Sequence, residues 1–143
     1  MVHRTILIAW FLASAGCATP NDVKYEASYS GVSTSTIGQM AIEATQLQGY
    51  SIAKTETRLH DFAFITFPLR LDPADVVDVA FVVHLVYEVQ SRARKHFAVT
   101  VIPRAVVNDR EVSEDQLPPT ARVRARELAD AIRAHTRQYE VPR

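Results

Sequence analysis

The chain has 143 residues, 48% apolar and 22% charged, which suits one folded domain and excludes intrinsic disorder. Sixteen Lys and Arg balance sixteen Asp and Glu. That excludes a dedicated nucleic-acid binder, which needs a net basic surface to neutralise phosphates.

The chain opens with a short basic start, His3 and Arg4. Residues 5–16 then carry no charge, and 6–12 are almost wholly apolar. A membrane-spanning helix needs about 20 apolar residues, more than this run supplies before Gly16, Pro20 and Asn21. A cleaved export signal fits better. Ala13-Ser14-Ala15 has the small-x-small form accepted by an ordinary signal peptidase, which would release a soluble chain starting at Gly16. Ala13-Ser14-Ala15-Gly16-Cys17 also resembles the lipobox of bacterial lipoproteins, with Ser14 standing where leucine is usual. The resemblance covers the leader alone. It implies a signal peptide over 1–16, a diacylglyceryl group on Cys17, a tether over 17–22 and a single domain over 23–143. It also implies palmitate-type chains that hold the protein in the outer membrane facing the periplasm, since Ala18 is not the aspartate associated with inner-membrane retention. Chemistry favours acylation. A thiolate forms thioethers readily, and Cys17 is the sole cysteine, so an exported chain would otherwise keep a free thiol without a disulfide partner. Each buried methylene contributes about 0.8 kcal/mol of membrane affinity and one acyl chain anchors only marginally, so two or three chains are what hold such a protein.

Further along, Val23, Tyr25, Ala27 and Tyr29 alternate with Lys24, Glu26 and Ser28, the period of a half-buried strand. Thr36 with Gln39 has the form of a capping box. Ile37, Met40, Ala44 and Leu47 recur at helical spacing, and Gly49 sits where a left-handed residue closes a helix. Strand patterns follow over 49–57 and 61–71. In the second, Ala63, Ile65, Phe67, Leu69 and Leu71 share one face, with Phe62, Phe64, Thr66 and Arg70 on the other. Pro68 there marks an edge or a bulge. Residues 79–90 form the strongest strand, with Phe81, Val83, Leu85, Tyr87 and Val89 facing the core. Residues 96–107 return with Phe97, Val99, Val101 and Ala105 inward. The polar loop between them predicts a hairpin, with Gln90 opposite His96, Glu88 opposite Ala98 and His84 opposite Ile102. After a loop over 108–119, Pro118 and Pro119 are expected to bar helix before Thr120, the predicted N-cap. Ala121, Ala125, Leu128, Ala129, Ile132 and Tyr139 then share a helical face. The order β-α-β-β-β-β-α predicts an α+β fold, a small mostly antiparallel sheet with both helices packed on one face.

Chemistry-bearing motifs are scarce. The chain has no Gly-rich phosphate loop, no H-E-x-x-H and no G-x-S-x-G elbow. No metal or cofactor is expected. His84 and Glu88 share a strand face but lie about 13 Å apart along it, too far for one metal with bonds near 2 Å. With His96 they read as solvated surface groups. His60-Asp61 could serve as the acid/base pair of a periplasmic hydrolase, given a shaped pocket and substrate within hydrogen-bond reach. On the terminal helix, Arg122, Arg126, Arg133 and Arg137 fall within an arc of about 60°. Such a stripe suits an anionic lipid, an acidic envelope polysaccharide or a partner protein's acidic surface. Routine pairs, Arg126–Asp130 and Asp130–Arg133, would instead absorb it. Phe62, Phe64, Val82, Val86 and Ile102 are expected to point away from the main core, a patch that calls for a partner unless the domain covers it. The expectation is a non-catalytic, envelope-anchored binding or assembly module, tied to the membrane through Cys17 and without nucleic acid. A hydrolase around His60 and Asp61, and a soluble exported binding protein, stand as alternatives.

Overall fold

The computed structural model describes residues 21–91 and 93–142. The expected signal peptide, Cys17 and most of the tether lie outside the described residues. The elements in chain order are β1 (Val23–Ser30), α1 (Thr34–Leu47), β2 (Ile52–Thr57), β3 (Asp61–Thr66), β4 (Asp78–Val89), β5 (Arg94–Val107), β6 (Arg110–Glu111), α2 (Pro119–Thr136) and β7 (Glu140–Val141). Short 3₁₀ turns occupy Glu114–Gln116 and Arg137–Tyr139. The strands pair antiparallel in the order β2-β3-β4-β5-β1-β7, with β6 beside the end of β5.

The fold class is the α+β arrangement expected. Ile37, Ala41 and Ala44 of α1 join Ala125, Leu128 and Ile132 of α2 over Phe64, Phe81, Val83, Leu85, Phe97 and Val99 in one core. Alternation in β1 reads correctly, since Ala27 and Tyr29 enter that core and Val23 and Tyr25 pack against it. Tyr29 also ties β1 to the far end of α2. Its hydroxyl lies 2.9 Å from Thr136 Oγ1, which donates in turn to the Ile132 carbonyl at 3.1 Å. Tyr29→Phe removes one neutral hydrogen bond and leaves Thr136 its backbone acceptor, so a loss of about 1 kcal/mol is expected. The shift in urea midpoint at unchanged slope checks it.

Several details differ from expectation. The element order gains β6 and β7, each only two residues long, too short to leave a periodic signal. Asn108 (φ 51°) and Asp109 (φ 62°) close β5 onto β6, the left-handed pair that a two-residue hairpin turn requires. The N-cap of α1 is Ser33, whose Oγ accepts from Thr36 N–H at 3.2 Å, three residues before the expected box. Gly49, at φ 95°, does close the helix. Helix α2 starts at Pro119, not Thr120, because proline at the first helical position has no N–H to lose and its φ is already helical. Leu47 and Val89, expected in the core, are 75% and 66% exposed, since each is the last residue of its element and projects beyond the layer that covers the core.

The β4–β5 hairpin is displaced by two residues from the expected register. Glu88 pairs with His96 and His84 with Thr100. A two-residue slip preserves every side chain's face, so the inward set survives. The faces of β3 are reversed. Phe62 pairs with Leu85 and Phe64 with Val83, so both aromatic rings turn toward the helices. Ala63 and Ile65 instead join Ala80, Val82, Ile102 and Val106 in a second buried cluster on the opposite face. Alternation shows that a strand has two faces and cannot say which of them meets the helices. The run expected over 61–71 stops at Thr66; beyond Pro68 only Leu69 makes an isolated bridge, to Val79.

Candidate functional site

Among the described residues the outer edge of β1 is paired only by the short β7, at Ser28 and Tyr29. The first half of β1 therefore lies beside α2 with its outer edge unpaired among the described residues. Helix α2 places Arg122, Arg126, Ala129 and Arg133 along this gap, an i, i+4, i+7, i+11 series on one face. Together with Asp22, Lys24 and Tyr25 they bound a cleft of about 400 Å³. Four cations, Lys24 and the three arginines, meet two carboxylates there, Asp22 and Asp130.

The cations are held differently. Arg133 Nη2 lies 2.8 Å from Glu140 Oε1, and its guanidinium sits 5.5 Å from the centre of the Tyr25 ring. Strand β7 therefore fixes the inner wall of the cleft. Arg122 and Arg126 are exposed and form no ion pair among the described residues. The expected pairs of Asp130 with Arg126 and Arg133 do not form; Arg133 turns instead to Glu140, while Arg124 pairs with Glu127 at 3.3 Å. Tyr25 Oη is buried beside the Tyr29 hydroxyl, without a well-formed hydrogen bond among the described residues. Burial first, then the neighbouring Tyr29, push its ionisation far above the ordinary phenol range, so it stays a neutral donor.

Arg137 is not part of this cleft. The α-helix ends at Thr136 and Arg137 enters the 3₁₀ turn, where 3.0 residues per turn break the 100° advance that placed it on the stripe. Three of the four expected arginines converge. The sequence signals missed were Lys24, Tyr25 and Glu140. Each lies on a strand whose adjacency to α2 no local pattern records.

His84 and His96 serve the sheet. His84 Nε2 lies 3.2 Å from Asp61 Oδ2, a diagonal cross-strand pair between β3 and β4. Asp61 also sits 4.0 Å from Arg58 Nε. His60 is exposed and turns toward the Tyr87 ring, 6.2 Å away between centres. The expected His60–Asp61 acid/base pair therefore splits, and His60 does not line the clefts of this domain that hold Asp61 or the arginines. His96, expected as a solvated group, is buried: its Nδ1 lies 3.0 Å from Ser28 Oγ, with Glu26 3.7 Å from Nε2. The pairing Ser28↔His96 explains this, since directly opposite residues project to the same side. Ser28 is 2% exposed, and it lines neither cleft. Among the described residues no group of three His, Cys, Asp or Glu could hold a metal ion.

No family model matches this chain. No curated protein matches it either. Among solved structures, a START superfamily protein from Mycobacterium smegmatis aligns over 82% of this chain and 97% of its own. The identity is 12% and the TM-score 0.37. The major latex-like protein 151 of Panax ginseng aligns over 80% of this chain and 97% of its own in one crystal structure, at 7% identity and TM-score 0.28. In another the shares are 85% and 99%, at 6% identity and the same TM-score of 0.28. Likeness of this degree carries neither ligand nor site residues across.

Proposed function

We propose that this protein is a lipid-anchored envelope protein whose domain binds anionic groups, without catalysis, in the basic cleft between β1 and α2. The observation that carries the reading is the convergence of Arg122, Arg126 and Lys24 around one cleft, the two arginines without an ion pair among the described residues. Guanidinium forks bind phosphate and carboxylate oxygens bidentately, and at these exposed positions the contacts weaken as salt is added. Position supports the membrane side of the reading. Asp22 stands five residues after Cys17, a length that reaches at most about 18 Å when extended. An acylated Cys17 keeps the cleft within headgroup range. Among the described residues no helix is long and apolar enough to cross a membrane.

The test uses purified Cys17→Ser protein, so that the anchor does not mask the cleft. Flotation with phosphatidylglycerol vesicles is expected to show weak, salt-sensitive binding, absent with phosphatidylcholine. Changing Arg122 and Arg126 together to Gln is expected to weaken it at least about tenfold, each lost charge contact removing roughly 1 kcal/mol near the surface. The salt dependence should flatten with it. Undiminished binding by the double variant would leave the cleft without this role.

A further inference from the structure

A second cleft, remote from the arginines, lies between α1 and the free edge of the sheet at β2. We infer that it is a binding site for a neutral hydroxylated ring, such as one pyranose unit of an envelope glycan. Gly38 makes the cleft possible. A Cβ there would stand 3.0 Å from two carbons of the Phe62 ring, so the bare backbone of α1 lets that ring slide beneath the helix and form the floor. Ile42 and Gln39 of α1 then look across at Thr55 and Thr57 of the edge strand, with Tyr87 closing one end. The Tyr87 hydroxyl donates to the Leu59 carbonyl, which holds that ring in place.

Three properties select the ligand. The first is charge. The only ionic groups in the lining, Arg58 and Asp61, are already engaged: Arg58 with Glu56 at 3.0 Å and Asp61 at 4.0 Å, and Asp61 with His84 at 3.2 Å. An anion or cation entering would find its countercharge taken. The second is hydrogen bonding. Threonine hydroxyls and the Gln39 amide both donate and accept, so they can meet each hydroxyl of a sugar ring in either role. The third is shape. A cleft of about 310 Å³ stands at the low end for small-molecule sites. It holds one ring with substituents. A pyranose offers an apolar C–H face to Phe62 and Tyr87 and a rim of hydroxyls to Thr55, Thr57 and Gln39. This site shares no residue with the arginine cleft, so either can fail alone.

The experiment titrates full-length, methyl-labelled protein in detergent micelles with chitotriose, a neutral pyranose oligomer. Saturable shifts confined to the Ile42, Thr55 and Thr57 methyl signals are expected. Gln39→Leu with Thr57→Val removes hydrogen-bonding capacity at two exposed positions without touching the core. It should weaken the interaction about tenfold, the effect of losing two neutral hydrogen bonds. The Arg122→Gln, Arg126→Gln variant should bind chitotriose unchanged. Absent or unsaturable shifts at these methyls, an undiminished affinity in the Gln39/Thr57 variant, or the same shifts produced by inorganic phosphate would each overturn the assignment.

Discussion

Cys17→Ser is expected to transfer the protein almost completely from the membrane pellet to the supernatant after high-salt and carbonate washing. The acyl chains that the lipobox resemblance implies would supply tens of buried methylenes at about 0.8 kcal/mol each. The arginine cleft supplies only salt-screened contacts, which the washes remove. Ala13-Ser14-Ala15 survives the change, so the ordinary peptidase can still release the chain. Intact mass checks the same point from the other side. The wild-type mature protein should begin at Cys17 and exceed its polypeptide mass by several hundred daltons. A variant that stays in the pellet through both washes would end the anchoring proposal while leaving the cleft open to test.

Phe81→Ala is expected to cost about 3–5 kcal/mol, a transfer loss plus the cavity left behind. Phe81 is fully buried in mid-sheet and meets Tyr50 edge-on, ring centres 5.1 Å apart. It stands opposite Pro103 in β5, and its N–H donates to Thr66 Oγ1 at 2.9 Å. The ring therefore lies where β4, the end of β3 and the segment after α1 meet. Little of that packing can collapse, because the backbone around it is held on both sides by strands. Against a total stability of about 5–15 kcal/mol, the loss would leave a substantial unfolded population under mild denaturant. Phe81→Leu should recover most of it. Val76→Ala, at a position 84% exposed, should stay within about 0.5 kcal/mol of wild type. Chemical unfolding of the three variants side by side checks the ranking, and equal losses at positions 76 and 81 would contradict it.

How much of this was readable beforehand follows from range. Inward positions of β1, β4 and β5, the apolar face of α2 and the Gly49 stop all rest on spacings of two to four residues, which backbone geometry dictates locally. The hairpin between β4 and β5 was readable for the same reason. Its register was not, because a two-residue slip leaves the hydrophobic pattern unchanged and only turn geometry distinguishes the alternatives. Phe62 and Phe64 show the next limit. Their alternation is plain, yet their face depends on pairing with Val83 and Leu85 and on Gly38 admitting a ring under α1.

The candidate site divides in the same way. Helical spacing alone put Arg122, Arg126 and Arg133 on one stripe, and the leader alone set Cys17 directly after an apolar run. Which strand faces that stripe is a different kind of fact. The last part of the chain, β7, returns to pair with β1, and Glu140 thereby captures Arg133 while Lys24 and Tyr25 complete the wall. Charge type and helical phase are written residue by residue. The meeting of Lys24 with Arg126, about a hundred positions apart, exists only once hydrophobic burial has folded the sheet and brought α2 across it.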